Sequence, residues 1–300
     1  MKILVTGSNG LLGQKLTLLL QHDSSIELIA TARGASSVTI NPGKFLSMDI
    51  TDAERVEKII TTVKPDVLIN TAAMTNVDQC ELNKEACWMA NVTAVENLVA
   101  ACRKVKTHLI HLSTDFIFDG SHGPLDETEK PSPVNYYGES KLAAEQRVIN
   151  SGLSWSILRT VLVYGITNDM SRSNIVLWVK NSLEQGKPIQ VVNDQWRTPT
   201  LAEDLAMGCY LAAKKKATGI FHISGKDFLS PYELAVKTAQ HFSLDQSLIT
   251  PTDSAQFKQT ARRPLTTGFI IEKARKELGY EPHTFAEGLQ IVEQQIRKKV

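Results

Sequence analysis

Two side chains four residues apart, Tyr137 and Lys141, are the first candidates for chemistry in this 300-residue sequence. Residues at this spacing on a helix share a face. A phenol, with an unperturbed pKa of about 10, can deliver a proton, and a neighbouring ammonium stabilises the phenolate that remains. An apolar run upstream ends in Ser113, Thr114 and Asp115, whose side chains can orient a substrate oxygen or accept a hydrogen bond. The set Thr114, Asp115, Tyr137 and Lys141 predicts proton delivery to an oxygen that gains negative charge, as when a ketone accepts hydride.

A tyrosine–lysine pair at this spacing is not specific by itself. The same spacing recurs at Tyr210 and Lys214, but no hydroxyl-bearing strand end precedes that pair. We therefore interpret the second pair as structural. Tyr136 adjoins the first pair, but only Tyr137 has a lysine four residues later.

Three glycines, Gly7, Gly10 and Gly13, follow a short apolar run at 2–6 and open a helix-like stretch. Gly7 permits a tight turn, Gly10 lets the backbone approach a pyrophosphate, and Gly13 allows close helix packing. The free N–H groups and positive dipole end of such a helix attract phosphates. This context predicts dinucleotide binding, and the GxxGxxG spacing indicates the short-chain dehydrogenase/reductase arrangement. The predicted cofactor contacts in this loop are Gly7, Asn9, Gly10, Leu11, Leu12 and Gly13.

The choice between NADP and NAD depends on the end of the second predicted strand. The sequence there is Thr31-Ala32-Arg33, without the acidic residue that would accept hydrogen bonds from a ribose of NAD. A guanidinium can pair with the 2′-phosphate of NADP, so Arg33 favours NADP, although an exposed loop arginine would leave the same pattern. NAD stays the alternative cofactor. Other contacts expected at strand ends are Asp49, Ile50, Thr71, Ala72 and Ala73, together with Tyr137 and Lys141.

Apolar runs alternate with helix-like stretches through the first half of the chain. The candidates for strands are residues 2–6, 27–32, 45–48, 67–70, 108–113 and 155–160. The candidates for the helices between them are residues 10–21, 52–63, 84–104 and 138–150. This alternation predicts an α/β fold of Rossmann type, with a doubly wound parallel sheet and helices on both faces. The strand ends of such a sheet meet at one crevice.

The second half of the chain has helical stretches separated by short strands and proline-bearing turns. The helical patterns lie at about 173–185, 201–213, 231–241 and 284–298, and the strands at 189–192 and 219–224. We predict an NAD(P)-binding domain over residues 1–165, with its last strand returning near 201–224. Residues 166–300 are predicted to form mainly a smaller, interleaved C-terminal substrate-binding lobe.

Composition narrows the class of protein. The chain has 33 basic and 32 acidic residues, a formal net charge of +1, so no global field favours nucleic acid. No apolar run approaches the roughly 20 residues of a membrane span, and the N-terminus lacks a signal-peptide pattern. The four cysteines lack metal-ligand spacing and are expected to be free buried thiols. We expect a cytoplasmic enzyme without a metal, nucleic-acid or membrane partner.

The chain resembles extended short-chain reductases of the dTDP-4-dehydrorhamnose reductase type over essentially its whole length. The resemblance rests on KILVTGSNGLLG, NTAAMTNVDQCE, HLSTDFIFDG, PVNYYGESKLAAE, LRTVLVYG, and NDQWRTPT followed by LAEDLA. The patterns STDxxFDG and YGxxKLxxE are together quite specific. The resemblance implies Thr114, Tyr137 and Lys141 as the catalytic set and the Gly7–Gly13 loop as the cofactor site. It implies NAD(P)H-dependent reduction of the 4-keto group of dTDP-4-dehydrorhamnose to dTDP-L-rhamnose, and a homodimer as a candidate assembly.

Residues expected to contact a nucleotide-sugar substrate lie mostly in the second half. Trp196 and Arg197 follow a strand in a polar loop, where binding residues concentrate, although a plain surface loop fits equally well. Arg263 is a candidate partner for a diphosphate because guanidinium binds phosphate through two hydrogen bonds, and Arg262 competes for that role. The predicted substrate set is Thr75, Thr114, Asn174, Trp196, Arg197 and Arg263.

The substrate half departs from the family pattern. Val161-Leu162-Val163-Tyr164 stands where many members have Ser-Trp-Val-Tyr, and Trp196-Arg197-Thr198 replaces a Tyr-Gly-Ala type of sequence. The regulatory subunit of methionine adenosyltransferase shares the STD and YGxxK elements and a tryptophan in the DxW segment. Two alternatives therefore stand beside the leading hypothesis: another nucleotide-sugar reductase or epimerase, and a non-catalytic NADP-binding regulatory subunit.

Overall fold

A computed structural model of the protein describes residues 1–168, 174–256 and 259–298. Its strands are β1 (Lys2–Thr6), β2 (Glu27–Ala32), β3 (Lys44–Ser47), β4 (Val67–Asn70), β5 (His108–Thr114), β6 (Trp155–Thr160), β7 (Val163–Tyr164), β8 (Ile189–Val192), β9 (Thr200–Leu201), β10 (Gly219–His222) and β11 (Ile249–Thr252). Its α-helices are α1 (Leu11–Gln21), α2 (Ala53–Val63), α3 (Val77–Leu82), α4 (Lys84–Trp88), α5 (Ala94–Val105), α6 (Tyr136–Ile149), α7 (Ile175–Glu184), α8 (Ala202–Lys215), α9 (Pro231–His241), α10 (Glu272–Leu278) and α11 (Phe285–Arg297). The first residue of the helix predicted at 173–185 lies outside the described residues.

Seven parallel strands form the main sheet in the order β10-β6-β5-β4-β1-β2-β3. The order reverses between β1 and β4, where Leu4 of β1 pairs with Leu68 of β4 on one side and with Ile29 of β2 on the other. This is the strand order of a doubly wound Rossmann sheet with one added strand, and it confirms the predicted α/β fold. Its switch point lies at the carboxyl ends of β1 and β4.

The central strands are apolar on both faces because helices cover both sides of the sheet. In β1, Ile3 and Val5 pack towards α1 and α8, whereas Leu4 packs towards α2 and α5. Each strand thus contributes alternate residues to two separate cores. Residues buried this completely hold the strand ends in fixed positions, which is what a site assembled from several loops requires.

After β6 the chain leaves the main sheet, forms α7 and α8, and returns to the sheet through β10, which pairs with β6. Residues of α7, α9 and α11 and the parallel pair β8–β11 form two small cores of their own, beside the sheet. The domain boundary at residue 165 stays a prediction.

The helix predicted at 84–104 is interrupted. A π-helical turn, Met89–Thr93, joins α4 to α5. Its Asn91 is buried, and the Asn91 amide accepts from the Met74 N–H and donates to the Met74 carbonyl and the Ser140 hydroxyl. These inward hydrogen bonds, which no helical periodicity could reveal, account for the extra residue in the turn.

Three further findings concern membrane-spanning helices, metal ligands and thiols. No helix among the described residues is long and apolar enough to span a membrane. Within the same residues no three His, Cys, Asp or Glu side chains are grouped as a metal site would need. Cys80, Cys87, Cys102 and Cys209 are free and buried.

Candidate functional site

The glycine loop lies between β1 and α1, at the switch point of the sheet. Gly7 has a φ of +69°, and a Cβ there would lie 2.8 Å from the backbone nitrogen of Ala72. A Cβ on Gly13 would lie 2.2 Å from the carbonyl oxygen of Gly7. Both positions therefore exclude larger residues, and the small turn after β4 lies directly against the loop. Gly7 therefore makes the tight turn, and the roles of Gly7, Gly13 and Ala72 towards a cofactor stay predictions.

The N-terminus of α1 is suited to an anion. Gly10 occupies the N-cap position without a side-chain cap, and the first turn holds no acidic residue. Ser8 Oγ is buried in the same loop and has no hydrogen-bond partner among the residues that the structure describes. Free N–H groups and the positive dipole end point into the crevice here, so the loop fits the phosphates of a dinucleotide.

Asn9 connects this loop to the segment after β2. Its Nδ2 donates to the Ala35 carbonyl at 2.7 Å, and its Oδ1 accepts from the Ser37 N–H at 2.9 Å. Arg33 lies just before this segment, and its side chain is exposed at the end of β2. The geometry leaves the Arg33 guanidinium accessible to a ligand bound over the glycine loop.

The other predicted cofactor residues lie at neighbouring strand ends. Asp49 accepts from the Thr51 backbone and hydroxyl, at 2.9 and 2.8 Å, and Thr71 donates to the Thr6 carbonyl at 2.6 Å. Ile50 is buried, and Ala73 is exposed. Leu11 and Leu12, which were also predicted to contact the cofactor, are half-buried in the first turn of α1.

Asn135 positions Tyr137 by capping α6. The Asn135 side chain accepts from the Gly138 N–H at 2.9 Å and donates to the Arg262 carbonyl at 2.7 Å. The helix therefore begins at Tyr136, and Tyr137 lies in its first turn, with its ring edge-on to Phe116 at 5.7 Å between centroids. Burial raises the pKa of the Tyr137 phenol above its usual value, and interaction with the Thr114 side chain opposes that shift.

Lys141 lies one turn further along α6 and is almost wholly buried. Its Nζ donates to the Leu112 carbonyl at 2.7 Å and lies 3.3 Å from His111 Nε2. Burial lowers the pKa of Lys141 to about 8, against the attraction of Glu145 and two thiols. We expected the ammonium to lower the pKa of Tyr137, but that pKa is raised in this structure because burial of the phenol is its largest cause.

Thr114 and Asp115 end β5 beside Tyr137. The Thr114 hydroxyl donates to Asp115 Oδ1 at 3.1 Å, and Asp115 Oδ2 accepts from the Thr267 hydroxyl. Arg197 Nε lies 3.5 Å from the same Asp115 oxygen. Burial raises the pKa of Asp115, while the Arg197 charge acts in the opposite direction. Asp115 thus lies behind Thr114, where it fixes the direction of that hydroxyl.

Arg197 itself is not an open contact for a ligand. Its guanidinium is buried and donates to the carbonyls of Trp196, Pro264 and Leu265. These hydrogen bonds hold the C-terminal segment against the end of β5. Trp196 is half-buried and stacks on Phe228 at 5.6 Å between centroids. Of this predicted pair, Trp196 retains the more accessible side chain.

The two candidate arginines for a diphosphate differ in their partners. Arg263 makes two hydrogen bonds to the Asp78 carboxylate, at 2.6 and 2.7 Å, and lowers the pKa of Asp78. Arg262 is exposed and lines a cavity of about 280 Å³ next to Arg263. The remaining residues that line this cavity are Gln195, Ser254, Gln259, Ala261 and Leu265. Arg262 is therefore the freer of the two cations.

The two other predicted substrate residues have different surroundings. Thr75 is exposed after β4. Asn174 caps α7, because its Oδ1 accepts from the Leu177 N–H at 3.3 Å, and its Nδ2 donates to the Gly165 carbonyl at 2.6 Å. The local geometry thus gives Asn174 a capping role.

Sequence reasoning missed the polar residues beneath the site. His111 is a buried histidine of β5 that contacts Lys141 and also Asn70, whose Nδ2 lies 3.2 Å from His111 Nδ1. The available signal was the alternation of a strand, which places His111 on the same face as Ser113. The second tyrosine–lysine pair has no such surroundings: Tyr210 and Lys214 both bind Asp23 at the surface.

Comparisons with known proteins match one family over nearly the whole chain. The family model described as RmlD substrate binding domain matches residues 1–297. The probable low-salt glycan biosynthesis reductase Agl14 of Haloferax volcanii is 31% identical, over 96% of this chain and 96% of its own length. The methionine adenosyltransferase 2 subunit beta of Rattus norvegicus is 31% identical, over 84% of this chain and 76% of its own length.

Two solved structures match nearly the whole chain. A dTDP-4-dehydrorhamnose reductase from Clostridium acetobutylicum superimposes with a TM-score of 0.88 at 29% identity, covering 99% of this chain and 100% of its own. A dTDP-4-dehydrorhamnose reductase from Bacillus anthracis, solved in complex with NADP, gives a TM-score of 0.84 at 26% identity, covering 98% of this chain and 99% of its own.

Proposed function

The chain belongs to the RmlD substrate binding domain family, and on that premise we propose that it is an NADPH-dependent oxidoreductase acting on a nucleotide-linked 4-keto-deoxysugar. The proposed reaction converts dTDP-4-dehydrorhamnose to dTDP-L-rhamnose. The observation that carries the proposal is that Thr114, Tyr137 and Lys141 converge at the end of β5, in the crevice that the glycine loop also borders. The reductases among the similar proteins, one of them solved with NADP, support it.

Different residues of the crevice would bind different parts of the cofactor. The N–H groups of the Gly7–Gly13 loop would hold the pyrophosphate, Arg33 the 2′-phosphate, and the small turn Thr71–Ala73 allows close approach of the cofactor. Bound NADPH supplies hydride to the sugar carbonyl carbon. Lys141 is placed below Tyr137, where it can hold ribose hydroxyls and carry positive charge.

The protein's own side chains handle the proton. With substrate bound, the Thr114 hydroxyl would turn its proton from Asp115 to the carbonyl oxygen and orient it. Tyr137 would give its phenolic proton to that oxygen as negative charge develops. The raised pKa of Tyr137 keeps the phenol protonated at neutral pH, which is the form a donor needs. After transfer, the Lys141 ammonium stabilises the phenolate.

A direct assay tests this function. The purified protein is incubated with NADPH and dTDP-4-keto-6-deoxy-L-mannose, and the absorbance of the reduced cofactor is followed. We expect consumption of NADPH in proportion to protein. UDP-, GDP- and CDP-linked keto sugars in parallel reveal a preference for another nucleotide. A folded protein that binds NADP but turns over none of these would contradict the proposal and favour a regulatory subunit.

Cofactor preference gives a second prediction. We expect Arg33→Asp to raise the KM for NADPH about 10- to 100-fold, with little loss for NADH, because a charge-assisted hydrogen bond contributes about 1.5–3 kcal/mol. KM values for both cofactors are measured by initial rates. The matched control is Arg103→Asp, an exposed arginine in the last turn of α5, away from the crevice. Equal losses with NADPH and NADH would show that Arg33 does not distinguish the two.

A further inference from the structure

A row of buried polar side chains ends at Lys141, and Lys141 is the one member of this row that the proposed mechanism uses. The Thr6 hydroxyl donates to Asn70 Oδ1 at 2.6 Å, and Asn70 Nδ2 lies 3.2 Å from His111 Nδ1. His111 Nε2 lies 3.3 Å from Lys141 Nζ, which donates to the Leu112 carbonyl at 2.7 Å. The four side chains of this row are at most 3% exposed. Buried groups of this kind need matched donors and acceptors, so the direction of each hydrogen bond matters.

The direction of the row is fixed at Asn70. The backbone N–H of Ala72, which can only donate, points at Asn70 Oδ1 at 3.3 Å. The opposite side of the amide, which faces His111, is therefore the NH₂ group, a donor. His111 Nδ1 must then accept. A neutral imidazole that accepts at Nδ1 carries its proton on Nε2.

This tautomer directs an N–H at Lys141. Nε2–H can donate to Lys141 Nζ only when the amine has a free lone pair. An ammonium in the same place would bring two donors together, because a charged Lys141 has hydrogen atoms on every free direction. Shifting the imidazole proton to Nδ1 would move the same conflict to Asn70. Asn70 and His111 together favour the neutral amine over the ammonium.

We propose that His111 is a positioning residue that acts through Lys141, and that the hydrogen-bond direction imposed by Asn70 sets the protonation state of the Lys141 amine. The role assigned to Lys141 rests on the proposed function, but the hydrogen-bond network does not. The other titratable groups that act on Lys141 are Cys80 from α3, Cys87 from α4 and Glu145 from its own helix, on which Tyr137 lies one turn earlier. Glu145 and the two thiols attract positive charge, so they oppose the effect of His111.

The network has a consequence for pH dependence. The proposed mechanism uses the Lys141 ammonium, so we expect kcat/KM to fall as pH rises through the pKa of Lys141, which burial lowers to about 8. His111→Gln puts an amide near the position of Nε2, and its oxygen can turn towards an ammonium. We expect this variant to raise the Lys141 pKa by about one unit or more and to move the alkaline limb of kcat/KM upward equally.

The titration is measured directly by NMR of protein labelled with ¹³C at lysine Cε, and Lys141→Met identifies the resonance. In the wild-type protein we expect the midpoint of this resonance to lie at a pH well below the midpoints of the surface lysines. In His111→Gln we expect its midpoint to lie at a higher pH than in the wild-type protein. The matched control is His108→Gln, a buried histidine of the same strand that contacts Ser154 and Ser156, which should leave the midpoint unchanged. An unchanged midpoint in His111→Gln, or a wild-type Lys141 that titrates with the surface lysines, would overturn the proposal.

A second measurement needs no variant. The ¹⁵N chemical shifts of the His111 ring in the wild-type protein report which nitrogen carries the proton, and we expect Nε2. A proton on Nδ1 would refute the proposal even if His111→Gln fails to fold. Both NMR experiments work without a substrate. A protein that reduces no sugar but shows the expected titration would retain the network and lose only the proposed function.

Discussion

Replacing Tyr137 with phenylalanine is expected to lower kcat for ketone reduction by about 10²- to 10⁴-fold, the usual contribution of a positioned general acid. The hydroxyl is the proton donor in the proposed reaction, and the ring is otherwise unchanged. The ring packs edge-on to Phe116 and against Cys80 and Cys87, so the variant should fold and bind NADP as before. Single-turnover and steady-state rates, together with NADP binding by fluorescence titration, separate the loss of proton transfer from the loss of binding.

The neighbouring tyrosine provides the control. The ring centroids of Tyr136 and Trp88 are 6.3 Å apart, and the Lys84 ammonium lies 5.0 Å from the Tyr136 ring centroid. Tyr136 is thus at the edge of the same cluster. Tyr136→Phe keeps these apolar contacts and should leave kcat within about twofold, since most surface substitutions have small effects. If Tyr137→Phe retained the wild-type rate, the phenol could not be the proton donor.

The largest effect on stability is expected from Arg159→Met. Arg159 makes two hydrogen bonds to Glu145, at 3.0 and 2.7 Å, and the two side chains are 3% and 1% exposed. Removing the guanidinium leaves a buried, unpaired carboxylate, which costs about 3–5 kcal/mol in the free energy of unfolding. Urea unfolding followed by circular dichroism measures this loss. Because Glu145 lies one turn beyond Lys141 on α6, the damage should reach the site as well.

The double variant Arg159→Met, Glu145→Leu distinguishes the causes. Replacing both members of a buried ion pair with apolar residues of similar volume is often neutral or stabilising. We expect the double variant to recover most of the stability that Arg159→Met loses. If the double variant were as unstable as the single one, lost packing of Arg159 against Phe118 would explain the effect better than the unpaired charge.

The fold and the candidate catalytic pair were predicted from local patterns. Alternation of buried strands and amphipathic helices predicted the sheet, because both faces of a parallel sheet must be covered. Glycine spacing predicted the loop at Gly7–Gly13, because a Cβ on Gly7 or Gly13 would meet backbone atoms of the tight turn and its neighbour. The spacing of Tyr137 and Lys141 predicted a shared helix face. Each of these inferences depends on residues close together in the chain.

Partners distant in the chain could not be predicted in this way. The guanidinium of Arg263 binds Asp78, which precedes it by 185 residues, and its role towards a diphosphate stays a prediction. Arg197 is buried beside Asp115 and holds the C-terminal segment, and its contact with substrate stays a prediction. A charged side chain pairs with whatever opposite charge or carbonyl the fold brings near, and no spacing in the sequence encodes that.

The sequence by itself therefore determined which chemical groups the protein has and the order of the elements that carry them. Only the tertiary structure decided how those groups are protonated and paired. Burial makes the Tyr137 phenol a weaker acid and the Lys141 amine a weaker base than either is in water. The direction of the Asn70–His111 hydrogen bond depends on the Ala72 N–H in the next loop. Desolvation and hydrogen-bond direction are properties of the packed protein. Desolvation depends on which groups bury a side chain, and hydrogen-bond direction depends on which donors and acceptors the fold brings together.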